Sequence, residues 1–86
     1  MKYVIIAFRS RNQTAKMYEI FRANGIPSTV ISTPREVGVG CGLSLRFDEG
    51  YLRRAVEAAT RHPLPSYVGF FSVLWNGRGF NVRRIA

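Results

Sequence analysis

The sequence predicts an α+β domain built on an antiparallel sheet, and three observations carry that expectation. Segments with the apolar pattern of strands alternate with two segments of helical period, in the order β-α-β-β-α-β. Each helical segment opens on a capping residue and closes on a glycine or proline stop. A late Asn76-Gly77 pair signals a hairpin that adds one more strand.

Lys2 to Phe8 is β-branched and aromatic with both faces apolar, as a central strand requires. Ser10 and Gln13 then form the capping box S-x-x-Q, in which the serine oxygen accepts from early helix amides and the glutamine reaches back. The helix runs to Asn24, with Thr14, Met17, Tyr18 and Phe21 on one face and Gly25 as a left-handed stop. Pro27 to Thr33 reads as a second strand, and its proline places it near a sheet edge.

PREVGVGCG, residues 34 to 42, is a loop in which glycines surround the single cysteine. Leu43, Leu45 and Phe47 alternate with Ser44 and Arg46, the period of a half-buried strand. Asp48 caps a second helix whose Leu52, Ala55, Val56 and Ala59 share a face, and His62-Pro63-Leu64-Pro65 ends it. Ser66 to Trp75 is the fourth strand, and a two-residue Asn76-Gly77 turn leads into a fifth over Gly79 to Ile85.

With right-handed crossovers this order gives a ferredoxin-like βαββαβ sandwich, an antiparallel sheet with both helices on one face, extended by a C-terminal β-hairpin. Residues 1–86 form a single domain, large enough to bury a core at 47% hydrophobic content. Thirteen Lys plus Arg against five Asp plus Glu give a net charge of +8, and only Lys2 and Lys16 are lysines. An arginine excess suits anionic partners, because the guanidinium fork matches carboxylate and phosphate geometry.

One cysteine excludes an intramolecular disulfide framework, and Cys41 with His62 makes a poor basis for a zinc site. No segment approaches the roughly 20 apolar residues of a membrane span, and the start MKYVIIAFRS does not read as a signal peptide. A cytoplasmic, reducing location is the expectation.

The topology brings three loops to one end of the sheet: Arg9, Ser10 and Arg11; the PREVGVGCG loop; and Arg61 with His62. Cys41 between Gly40 and Gly42 is open to close approach, while the first helix N-terminus and Arg9, Arg11 or Arg35 favour a thiolate. On spacing and composition alone, a lone cysteine is more simply read as a small buried hydrophobe. Arg35 fits an anion beside Cys41 or an exposed ion pair with Glu36, and His62 fits a helix C-terminal residue better than a base for the thiol.

FRS at residues 8–10, GIP at 25–27, STPRE at 32–36 and CGLSLRF at 41–47 resemble the family of small selenium or sulfur carrier-like proteins, otherwise a domain of unknown function. The resemblance covers about the first 50 residues, with an echo at Tyr67 to Phe71. It departs at Val37-Gly38-Val39-Gly40, where a serine-rich run is usual, and in the added tail WNGRGFNVRRIA.

The resemblance implies that Cys41 is a carrier thiol. It would take up sulfur or selenium as a persulfide or selenosulfide from a donor protein and hand it to an acceptor protein. The loop topology and flanking glycines, rather than the resemblance, add Arg9, Ser10, Arg11, Arg35, Gly40 and Gly42 to Cys41 as the site, around an anion. The expectation is a carrier or accessory protein rather than a self-sufficient enzyme, with no cofactor, no metal and no membrane partner; a homo-oligomer is compatible.

Two other classes fit the composition. Arg53, Arg54, Arg78, Arg83 and Arg84 would make a phosphate track in a nucleic-acid-binding module, although Arg78-Gly79-Phe80 is misplaced for an RNA-recognition motif. An uncovered sheet face or the C-terminal strand would serve a protein–protein adaptor without chemistry.

Overall fold

A computed structural model describes residues 2–38 and 42–86. The strands are β1 (Lys2–Phe8), β2 (Thr29–Ser32), β3 (Leu43–Phe47), β4 (Tyr67–Trp75) and β5 (Phe80–Arg84), with helices α1 (Arg11–Ala23) and α2 (Leu52–Arg61). All strand pairs are antiparallel, in the order β2-β3-β1-β4-β5. The chain is therefore mixed α+β, with β1 and β3 inside the sheet and the proline-preceded β2 at an edge.

The two apolar faces of β1 bury two separate cores. Val4, Ile6 and Phe8 meet the helices in a cluster with Met17, Phe21, Leu45, Phe47, Ala55, Ala58 and Phe70. Phe47 is the hinge of its aromatic packing, edge-on to Phe21 at 5.5 Å and to Phe70 at 6.0 Å. Each fully buried aromatic or aliphatic side chain here adds about 1.5–3 kcal/mol of hydrophobic stabilisation. On α2 it is Ala55 and Ala58 that are buried, with Leu52, Val56 and Ala59 packed around the cluster's margin.

On the helix-free face Tyr3, Ile5, Ala7, Phe71 and Val73 form the second core, joined by Ile31, Val37, Val68 and Val82. Its centre is closed: Ile5, Ala7 and Val73 are fully buried. This corrects the expectation of an uncovered sheet face. Residues Arg35–Val37 form a 3-10 turn that packs against β5 and contributes Val37 to this core. A segment read from its glycines as a plain loop thus begins with an ordered turn, closed by Gly38 in the left-handed region at φ 81°.

Other boundaries shift for local reasons. Asp48 caps a separate 3-10 turn, Glu49–Tyr51, by accepting from the Gly50 amide, and α2 starts after it. The β4–β5 connection spans four residues, because Trp75 pairs with Phe80 and the Asn76 side chain accepts from the Arg78 and Gly79 amides. The Asn-Gly signal marked the hairpin correctly, but the asparagine side chain builds a wider turn than a two-residue loop.

Candidate functional site

Ser10 accepts at its Oγ from the Gln13 amide, 3.4 Å, in the N-cap of α1. The reciprocal half of the expected capping box is diverted. Gln13 Oε1 accepts from the Ser66 amide at 2.7 Å, while the Ser10 amide donates to Ser66 Oγ at 3.2 Å and the Arg9 amide to the Ser66 carbonyl at 2.9 Å. Ser66, just before β4, therefore ties the β1–α1 loop to the α2–β4 loop.

A second set of bonds reaches the base of the cysteine segment. Thr14, almost fully buried, lies 3.3 Å from the Ser10 carbonyl and 3.4 Å from the Leu43 carbonyl through the same hydroxyl. The Thr33 amide donates to the Gly42 carbonyl at 2.9 Å, and Thr33 Oγ1 lies 2.7 Å from Ser44 Oγ. These contacts hold residues 33 and 42, at the two ends of the cysteine segment, against each other. Gly42 takes φ 90°, a backbone state that favours glycine.

The sequence-derived site residues divide between two places. Arg9, Ser10 and Arg11 stand together at the start of α1, with both arginines exposed. Arg35 is exposed on the turn that packs against β5, so it belongs to the segment crossing the helix-free face. Gly42 sits at the base of β3; Cys41 and Gly40 lie outside the described residues. Arg61 is exposed in the last turn of α2, and His62 caps that helix through its amide, which donates to the Ala58 carbonyl at 3.1 Å.

Sequence reasoning missed Thr14, Thr33, Ser44 and Ser66 as site-building residues. A signal existed for Thr14, a hydroxyl on the apolar stripe of α1, and for Ser44, a small polar residue within a strand. Neither pattern names a partner 11 or more positions away.

Beside this end lies an apolar pocket of about 200 Å³ between the helices and the sheet, lined among others by Phe8, Met17, Val56, Leu64, Tyr67 and Phe70. A register shift between Ala7 and Phe8 brings Tyr67 opposite Phe8, their rings 6.1 Å apart. Burial pushes the Tyr67 phenol above its ordinary value, against the opposing pull of the Arg84 guanidinium and a backbone bond at Phe70. Among the described residues no three of His, Cys, Asp and Glu cluster as metal ligands, and no helix is long and apolar enough to cross a membrane.

A model of the family described as "Putative Se/S carrier protein-like" matches residues 2–66. The chain belongs to this family. The match runs from β1 to the residue before β4 and includes the whole cysteine segment, while the Tyr67–Phe71 echo and the β4–β5 hairpin lie beyond it. No curated protein and no solved structure matches the chain.

Proposed function

We propose that this protein carries sulfur or selenium on Cys41 and passes it to a partner protein. Membership of the carrier-like family supports the class of activity, and the bond from Thr14 to the Leu43 carbonyl supports reading the site at the start of α1. That bond links the first turn of α1 to the chain two residues beyond Cys41. The helix N-terminus, with no acidic residue in its first turn, together with Arg9 and Arg11 would favour a thiolate there. A Cβ at Gly42 would meet nothing within 4 Å, which suits a partner's approach. Gly40 is assigned the same role from its lack of a side chain, and Arg35 is assigned to hold an anion or an acidic partner.

In uptake, the Cys41 thiolate attacks the outer sulfur or selenium of a donor persulfide or selenosulfide. A bond from Cys41 Sγ to that atom forms, the donor's own bond to it breaks, and the donor leaves as a thiolate without net oxidation. An acceptor nucleophile then takes the outer atom and releases the Cys41 thiolate. A ferredoxin-like scaffold is the fold reading we adopt, supported by the run β2-β3-β1-β4 within the sheet, with β5 as its extension. A reducing compartment such as the cytoplasm suits a free carrier thiol.

Cyanolysis tests the reading. After incubation with a low-molecular-weight persulfide and removal of excess, the protein should release one equivalent of thiocyanate, and Cys41→Ser should release none. Equal release from both proteins would defeat the assignment to Cys41.

A further inference from the structure

The β4–β5 hairpin stands outside the family match and concentrates two features. Residues 67–86 carry Arg78, Arg83 and Arg84 and no carboxylate side chain. At the hairpin's end Trp75 and Phe80 face each other across the strands, ring centroids 5.0 Å apart and tilted by 53°, and both keep about two-fifths of their surface exposed, 40% and 39%.

Neither feature serves the core. The second cluster is complete with Phe71, Val73 and Val82, and Trp75 and Phe80 lie beyond it along the same strands. Two tilted, half-open rings offer stacking surface, and the arginines of the hairpin supply positive charge with no carboxylate side chain among them. Arg78 is exposed in the turn beside the rings, and Arg83 is exposed on the edge strand β5, where alternation turns it to the opposite face, so a strand stacked on the rings meets Arg83 only by passing around the open edge. A flexible polyanion that also presents aromatic faces satisfies both, and that description fits a single-stranded nucleic acid.

We propose that the β4–β5 hairpin docks single-stranded nucleic acid, with Trp75 and Phe80 stacking on bases and Arg78 and Arg83 neutralising phosphates. A duplex keeps its base faces stacked inside and engages only the charges. The surface does not involve Cys41, so the proposal stands or falls independently of the cyanolysis result.

Trp75 is the sole tryptophan, so its fluorescence reports the site directly. The full chain is titrated with an unlabelled oligouridine, an oligothymidine, a duplex of equal length and poly-glutamate. The single strands should quench Trp75 saturably, with affinity falling as salt rises. Arg78→Gln and Arg83→Gln should each flatten the salt slope by about 0.7. Phe80→Ala should weaken binding roughly tenfold. Trp75→Ala, followed by anisotropy of a labelled oligouridine, should do the same, with circular dichroism confirming that both variants fold. Absence of quenching at low salt, equal quenching by poly-glutamate, or affinities unchanged in both aromatic variants would overturn the proposal. Poly-glutamate quenching would instead assign the hairpin to an acidic protein surface.

Discussion

The hydroxyls of Thr33 and Ser44 lie 2.7 Å apart, and Ser44 is fully buried between β1 and β2. The pair joins the end of β2 to the start of β3 below the cysteine segment. Thr33→Val leaves the buried serine oxygen without this partner and should cost about 1–3 kcal/mol, and Ser44→Ala about 1–2 kcal/mol. The double variant should lose less than the sum of the two, since each single change already breaks the same bond. Urea denaturation of the four proteins measures the coupling; strict additivity would show that the two hydroxyls act independently.

Gln13 works as a bridge across the fold through its bond to the Ser66 amide. Gln13→Ala should cost about 1–2 kcal/mol, more than an exposed first-turn substitution, because the partly buried amide loses its acceptor. Gln13→Glu keeps an acceptor oxygen and places a negative charge at the helix N-terminus, so it should retain most of the stability. Thermal unfolding distinguishes the two variants.

These two relationships show why the sequence discloses elements better than sites. Ser10 and Gln13 are three residues apart, so the cap of α1 is visible as a local pattern, and the family segments from Phe8 to Phe47 are visible as words. Ser66 is 53 residues from Gln13, and no local rule selects it over the Ser10 amide. Val37 lies in a glycine-rich stretch, where composition says loop; its burial depends on β5, a strand formed more than 40 residues later. Asn76 was legible as a turn residue, but the wider turn depends on which amides its side chain accepts from. The cysteine itself was singled out by its flanking glycines and by family resemblance, and its placement lies outside the described residues.

Tyr67 supplies a pH signature. Its folded phenol holds the proton above the ordinary value of 10.0, so this contribution to stability is fully present below pH 10 and is lost as pH rises through the folded value. Tyr67→Phe should remove that loss and unfold less steeply in the alkaline range. Ultraviolet difference titration should show one late-ionising tyrosine missing from the variant. Identical alkaline profiles would show that burial of Tyr67 does not govern its titration.

Arg9 and Arg11 test the electrostatics assigned to the thiol. The double replacement by glutamine should slow alkylation of Cys41 by iodoacetamide severalfold at neutral pH, because less thiolate is present. Because both side chains are exposed, the fold should be preserved, as circular dichroism would report. An unchanged rate would separate these arginines from the cysteine.

The central claim is that Cys41 carries the transferred atom, and mass spectrometry of the protein purified without reductant tests it most directly. The account predicts that the peptide containing Cys41 gains the mass of one sulfur or one selenium atom after exposure to a persulfide or selenosulfide donor. The gain should disappear on reduction and move to an acceptor thiol when one is supplied. A Cys41 peptide that stays unmodified under conditions where a control thiol peptide takes up the atom would contradict it.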